Sequence, residues 1–594
     1  MKKMWTSTGG GAALIVLLTV LVYAPALRGG FVFDDFVLIT KNPMVKASDG
    51  LHRLWLTTEA TDYYPLSGSL LWLEWHLWGD YAPGYHVVNV LLHAGAAVLV
   101  WLILRRLKIP AAWLAAMIFA IHPVNVATAA WVSEQKNTLS MVFYALAILL
   151  YLKFDETGQR HWYAGSLGAF LLALLSKPAV VMLPVVLLGC MWWVHGRLRK
   201  QDGLYSTPYF VLSLVLGLVT VHLQFAHAME GRAVLTGGFA SRLATAGWVP
   251  WFYLFKALVP IDLTVIYPKW DIDASRWISY VPGVLLMGGF ALGWWKRGSW
   301  GRPVLFGLGY FVVTLFPVLG FFDQAFYRYS LVADHWQYYS IIGVIAVAVA
   351  IGCKVANRLG ERGQADRMLI AAAVLVLLGQ ATWRRCDIYA SSEKLWRDNV
   401  TKNPFAWTAR NGLGSALEGA GRIDEAIDQY QQAVRINPEY AEGHYNLGAA
   451  LWRVGASDAA IEHYEQALLI KTNFAEAHYN LGTVLWPTRG VQAALPHFEA
   501  AVRINPDYAE AHNNLGVALQ QEGHVREAIG HYERAIQIKP DYVDAHNNLA
   551  VALEREGRIQ EAIQQYEMVV RLKPDFIDAQ AQLTRLRAAS TTHP

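Results

Sequence analysis

The chain is 594 residues long, 55% hydrophobic and 16% charged, with 24 tryptophans. That is too apolar for a soluble assembly of several domains, so most of it must lie in a membrane. A formal net charge of +4 gives no reason to expect a nucleic-acid partner. The three scattered cysteines, Cys190, Cys353 and Cys386, offer neither a metal-ligand spacing nor a disulfide framework.

Up to residue 385, apolar runs near the ~20-residue length of a membrane span follow one another between short polar turns. Spans are predicted at 10–27, 85–104, 112–131, 137–154, 162–176, 178–195, 208–226, 278–295, 303–322, 338–356 and 368–383. The first lacks a clear small-residue cleavage site and leads into further spans, so it reads as a retained anchor. Lys2-Lys3, Arg105-Arg106 with Lys108, Arg197 to Lys200, Lys296-Arg297 with Arg302, and Lys354 through Arg367 then share one side, which positive loops make cytoplasmic. About eleven spans put the amino terminus inside and the carboxyl terminus outside. The stretch 248–260 is apolar but short, holds Lys256 and is bounded by prolines. Spanning would break the parity, so it is expected to be interfacial or re-entrant.

Adjacent carboxylates, Asp34 and Asp35, stand just after the first apolar run, at the start of a loop facing away from the cytoplasm. Such a pair could act as a catalytic base or bind a metal; acids in a loop are otherwise solvated or cap a helix.

After Arg385 the chain becomes a 34-residue repeat, marked by prolines at 404, 438, 506, 540 and 574, with Thr472 in the missing place. Leu413, Leu447, Leu481, Leu515 and Leu549 keep the register, as do Gly414, Gly448, Gly482 and Gly516. So do Ala426, Ala460, Ala494, Ala528 and Ala562. Period, small residues and terminal proline are the tetratricopeptide signature. Small residues let two helices approach, an aromatic (Tyr430, Tyr464, Phe498, Tyr532, Tyr566) fills the gap, and proline ends the second helix. The predicted organisation is all-α: a polytopic membrane domain at 1–385, a linker at 386–403, and at 404–588 five repeats plus a capping helix, stacked as an α-solenoid. Within it Asn446, Asn480, Asn514 and Asn548 recur in register. Their amides are expected to line a groove and bind the main chain of an extended peptide, although Asn is common at this position in generic repeats. His444, His478, His512 and His546 form a parallel row, which as single imidazoles on successive units is expected to pack or solvate.

Several motifs carry a family resemblance. The segment Phe33 to Pro43, Tyr64-Pro65-Leu66 with Gly84 to His86 and Asn89 to His93, His122-Pro123-Val124, Leu175 to Pro178, and Ala333-Asp334, coupled to the repeats, resemble the transmembrane and tetratricopeptide-repeat proteins. That family includes protein O-mannosyltransferases of the GT-C fold, and this chain is similar to its bacterial members. The resemblance implies transfer of a sugar, mannose being a candidate, from a polyprenyl-phosphate donor to a protein hydroxyl on the extracytoplasmic side, with inversion. It gives Asp35 or Asp34 the role of base, and makes His86, His93, His122, Lys177, Asp334 and His335 candidates for donor contact. The bland readings are that His122 ends a helix before Pro123, and that Lys177 sits at the interface because a short turn places it there. Where bacterial relatives often read His-Pro-Val-His-Val-Glu, this chain has His122-Pro123-Val124-Asn125-Val126-Ala127, and where many read Ala-Asp-Arg-Tyr it has Ala333-Asp334-His335-Trp336. Glu134 and Lys136 keep a polar cluster nearby.

No metal is expected to be required, Mg2+ or Mn2+ being the ions two aspartates could hold. The expected partners are a polyprenyl-phosphate-linked sugar, a polypeptide acceptor or partner protein, and the bilayer, with no nucleic acid. The expected location is the cell (inner) membrane, with the repeats periplasmic. The competing expectation is a non-catalytic, membrane-anchored repeat scaffold for envelope protein assembly.

Overall fold

A computed structural model describes residues 8–59, 62–229, 234, 237–357 and 363–592. The Lys2-Lys3 pair and part of the basic stretch from Lys354 to Arg367 lie outside the described residues. Every regular element among the described residues is helical, and the chain divides into two compact units, 1–409 and 410–594.

Seven helices of the first unit are long and apolar enough to cross a membrane: Ala82–Arg106, Val132–Thr157, Pro178–His195, Lys200–His227, Trp277–Trp295, Gly301–Val318 and Asp366–Ile388. An eighth crossing results if Ala112–Ala120 and Pro123–Ala129, bent by 45°, form one span. Reaching eleven requires the shorter helices Thr8–Val22, Ile341–Val355 and Arg160–Ser176 as well. Ala82–Arg106 and Val132–Thr157 are mostly buried inside the unit and pack on each other, whereas Lys200–His227 and Trp277–Trp295 turn almost all their surface outward. The central pair can pack closely because Ala94, Ala96, Ala97, Ala145 and Ala147 face the core.

The bend has a local cause. Pro123 cannot donate to the helix ladder, and the carbonyl of Ile121 beside the break accepts instead from the Thr382 hydroxyl at 2.7 Å. The apolar stretch around 248–260 belongs to a longer helix than expected, Phe239–Leu258, with Pro250 inside it and Lys256 Nζ donating to the Ile261 carbonyl at 2.6 Å. It is not one of the helices apolar enough to span.

Residues 386–403 are not a free linker. They complete one helix and form another, Ser392–Lys402, and are tied into the first unit. Trp396 meets the Phe33 ring edge-on at 4.8 Å, and the buried Asn399 side chain bonds Thr264 Oγ1 at 2.7 Å. Amphipathic burial, invisible to a composition-based boundary, carries the first unit to residue 409.

The second unit holds five helix hairpins and a final helix, Ile577–Thr592. In four of them the glycine of the first helix faces the aromatic of the second: a Cβ on Gly482 would come within 2.8 Å of Phe498 Cε1, and one on Gly516 within 2.6 Å of Tyr532 Cε1. The fifth carries Ala550 there. The third hairpin is irregular, because Ala475–Arg489 and Val491–Ile504 are joined by Gly490 alone, at φ +90° and ψ 169°. Side-chain-bearing residues rarely adopt that conformation.

Candidate active site

The loop after the first helix is shaped by a strained turn. Phe33 has a positive φ of 49°, held by its stack on Trp131 at 5.6 Å and its edge contact with Trp396. The turn sends the two aspartates to different fates. Asp35 is fully buried: Oδ2 accepts from the Val32 N–H at 2.9 Å, and Oδ1 accepts from the Ser133 N–H at 2.7 Å and from the Ser133 hydroxyl. Burial pushes its carboxyl up to about 7, against those three hydrogen bonds. A carboxylate engaged on both oxygens fastens the loop to the start of a spanning helix, so Asp35, one of the two acids offered as base on sequence grounds, is a tie between segments. Asp34 is only partly buried. Its carboxyl is raised to about 6, chiefly by desolvation, with Lys136 pulling it down and Glu134 and Asp62 pushing it up.

Asp34 therefore looks onto a charged cluster that the fold assembles from distant segments. Glu134 is buried and pairs with Lys136 at 3.1 Å and with Lys177 at 3.2 Å. His335 lies within electrostatic reach of Glu134 and both lysines, and burial lowers its imidazole to about 4, so it is neutral near pH 7. Its ring meets Trp131 edge-on at 5.8 Å. Beside Ser133 and Lys136 a cavity of about 100 Å³ opens toward Asp62 and Tyr64. Around the turn at 123–131 and the 334–337 turn packed against it, several buried polar atoms have no hydrogen-bond partner among the described residues: Asn125 Oδ1, Thr128 Oγ1, the Trp131 indole N–H and both amide atoms of Gln337.

The other candidates separate. Lys177 and His335 belong to the cluster. His93 and His122 do not, because each spends both ring nitrogens on protein groups. His93 Nε2 bonds the Ala120 carbonyl at 2.9 Å and Nδ1 the Tyr338 hydroxyl at 2.7 Å. His122 Nε2 bonds the Ala257 carbonyl at 3.1 Å, and its Nδ1 accepts from the Val124 N–H, capping the turn after Pro123. His86 reaches the Gly30 carbonyl at 3.4 Å, its other nitrogen buried without a partner. Asp334 accepts from the Tyr267 hydroxyl at 2.7 Å and stands 4.0 Å from the Arg385 guanidinium, in a network that continues to Asp398 and Lys402. Sequence reading missed Ser133, Asp62 and Arg385. The run Ser133-Glu134-Gln135-Lys136, polar inside an apolar stretch, is the signal that could have found the first. Among the described residues, no three His, Cys, Asp or Glu side chains lie close enough to hold a metal ion.

In the repeats, the asparagine row is spent partly on the solenoid itself. Asn446 donates to Asn411 Oδ1 at 2.9 Å, Asn480 to the Tyr445 hydroxyl at 3.1 Å, Asn514 to the Tyr479 hydroxyl at 3.2 Å and Asn548 to Asn513 Oδ1 at 2.9 Å. Each amide thus staples its repeat to the one before, so its nitrogen is engaged within the solenoid. The histidine row has partners that the repeat register did not reveal: His444, His478 and His512 face His463, His497 and His531, with Nδ1 atoms 3.0 to 3.1 Å apart.

Residues 63–225 match the dolichyl-phosphate-mannose-protein mannosyltransferase family, and tetratricopeptide repeats are matched at 414–487, 479–543 and 519–588. The chain is thus a membrane protein of several spans that joins a segment similar to that family to tetratricopeptide repeats. Its relatives are protein O-mannosyltransferases of the TMTC type. Protein O-mannosyl-transferase F38B6.6 of Caenorhabditis elegans is 22% identical over 72% of this chain and 63% of its own length. Protein O-mannosyl-transferase TMTC4 of Homo sapiens is 25% identical over 70% of this chain and 64% of its own. The chain therefore spans somewhat under two thirds of these relatives. The crystal structure of YrrB, a TPR protein, is 22% identical and covers 32% of this chain and 98% of that one, with a TM-score of 0.29.

Proposed function

We propose that this chain is an inverting glycosyltransferase that moves a sugar, mannose as in the names of its relatives, from a polyprenyl-phosphate donor to a hydroxyl of a polypeptide on the extracytoplasmic side. The observation that carries the reading is Asp34: a partly exposed carboxylate, raised to about 6, that faces Lys136 and, through Glu134, the lysine pair of the matched segment. In this reading Asp34 accepts the proton of the acceptor hydroxyl as its oxygen bonds the anomeric carbon. The bond from that carbon to the phosphate oxygen breaks with its electron pair, and Lys136 and Lys177 offset the charge gathered on the lipid phosphate. The unpartnered buried atoms around Trp131 and Gln337 supply donors and acceptors suited to sugar hydroxyls. The repeats bind the acceptor, with the oxygens of Asn446, Asn480 and Asn548 receiving main-chain N–H groups, since Asn514 Oδ1 already accepts from Asn513 at 3.3 Å.

The test is consumption of a polyprenyl-phosphate-linked mannose by the purified chain. Asp34→Asn is expected to lower transfer by about 10²-fold or more, and full activity in this variant removes Asp34 from the mechanism. Because the base works as the carboxylate, transfer by the unaltered chain should climb as pH rises through about 6 and level off above it. The scaffold alternative draws on the same cluster, since Glu134 already answers both lysines. Partner proteins captured by the double variant Asp34→Asn/Asp35→Asn, with no sugar on any of them, would favour it.

A further inference from the structure

A second, larger cavity of the first unit lies away from the charged cluster. It encloses about 660 Å³ and is walled by Val100, Leu104, Met141, Val186, Ala346 and Ala350, on helices assigned to spans. The polar atoms in its wall are satisfied without a ligand where Tyr144 and Tyr310 join hydroxyls at 3.3 Å. It suits an apolar guest rather than a sugar or water. Its lining along Ile341–Asn357 runs from Ile342 to Lys354, which at 1.5 Å per residue is about 18 Å, close to one leaflet of a hydrocarbon core about 30 Å thick. Lys108, Trp300 and Lys354 also line it. These three come from the ends of the helices that the basic loops join, so they share one membrane face. Along Ala82–Arg106 and its following turn, Lys108 stands about 33 Å from His86, which lies at the end nearer the aspartate loop. The cavity therefore opens on the face opposite the candidate active site.

We propose that this cavity holds one acyl chain of an anionic phospholipid from the leaflet on the basic-loop side, with the headgroup phosphate at the mouth that carries Lys108 and Lys354. Depth matches a single leaflet, the wall is apolar, and cations stand where a headgroup sits. Trp300 at the rim is a residue type favoured at that level of the bilayer.

The full chain, reconstituted in vesicles, is exposed to phosphatidylglycerol or phosphatidylcholine bearing a photoreactive group on the acyl chain, and adducts are mapped by mass spectrometry. Phosphatidylglycerol is expected to label peptides containing Met141, Val186 and Ala346 about tenfold or more over phosphatidylcholine. The double variant Lys108→Glu/Lys354→Glu should erase that preference while keeping the melting temperature. Ala350→Phe should reduce cavity labelling but not labelling of the outward-facing Lys200–Leu223 helix. Asp34→Asn should leave all labelling unchanged, which separates this site from the transfer reaction. Equal labelling by the two lipids, adducts confined to outward-facing helices, or a preference that survives both charge reversals would overturn the proposal. If Ala350→Phe does not fold, the charge-reversal pair decides alone.

Discussion

The two units handle buried polar groups in opposite ways. In the repeats each polar contact is local and copied: an asparagine reaches back 35 residues to the preceding unit, and an imidazole reaches 19 residues along its own hairpin. In the membrane unit the contacts are not copied, and those that join the segments of the candidate site are long-range. Asp35 finds Ser133 98 residues away, and His93 finds Tyr338 245 residues away. A repeated contact can be lost in one copy while the others stand, because each repeat leans only on its neighbours. A unique contact in a low-dielectric interior has no substitute.

Four measurements would break or sharpen that contrast. The largest effect is expected at Glu134→Gln, which removes the buried carboxylate that the half-buried Lys136 and Lys177 share. By the rule for breaking a buried pair it should cost about 3–5 kcal/mol, read as a fall in the melting temperature of the purified chain. A change within error would mean that water or lipid phosphate already serves those lysines. Next comes Gly482→Ala, whose Cβ would meet the Phe498 ring at 2.8 Å. Overpacking of this kind costs about 1–3 kcal/mol, and hydrogen exchange should show the loss centred on the third hairpin rather than across the unit. Asn480→Ala removes one staple for about 1 kcal/mol, and a loss several times larger would show that the row acts as one network.

The smallest effect at neutral pH should grow on acidification. Burial, and then the facing imidazole, lower the pKa of His497 from its ordinary 6.5. His463 and His531 are lowered by the same causes, with Glu462 and Glu527 opposing, while Arg503 bears on His478 and Arg534 and Asp507 bear on His512. With these groups lowered, the folded state binds fewer protons than the unfolded chain. Their contribution is therefore present above about 6.5 and is lost as pH falls through the lowered values. Replacing His463, His497 and His531 by Gln, the residue that already bonds His546 from position 565 at 2.7 Å, should flatten the acid limb of a stability–pH curve. An unchanged limb would assign acid sensitivity elsewhere.

Much of this was legible beforehand, for a physical reason in each case. A membrane span and a 34-residue repeat are periodic or compositional, so the apolar runs and the Gly–aromatic register could be read along the chain. The aspartate pair was legible as a pair but not as two different residues. What separates Asp34 from Asp35 is a left-handed turn at Phe33 and a hydroxyl 98 residues on, neither of which leaves a periodic mark. The same holds for His93 and His122, whose chemistry looked available until the carbonyls of Ala120 and Ala257 were seen to occupy them.

The amino-acid sequence by itself determined that this is a helical membrane protein with a repeat solenoid, because burying apolar runs and stacking identical hairpins need no knowledge of distant partners. Only the tertiary structure decided which acid is tied down, which lysines answer Glu134, that 386–403 belongs to the membrane unit, and that the histidine row is paired. Those outcomes depend on which polar groups meet in a medium without water, where an unmet donor or acceptor is costly.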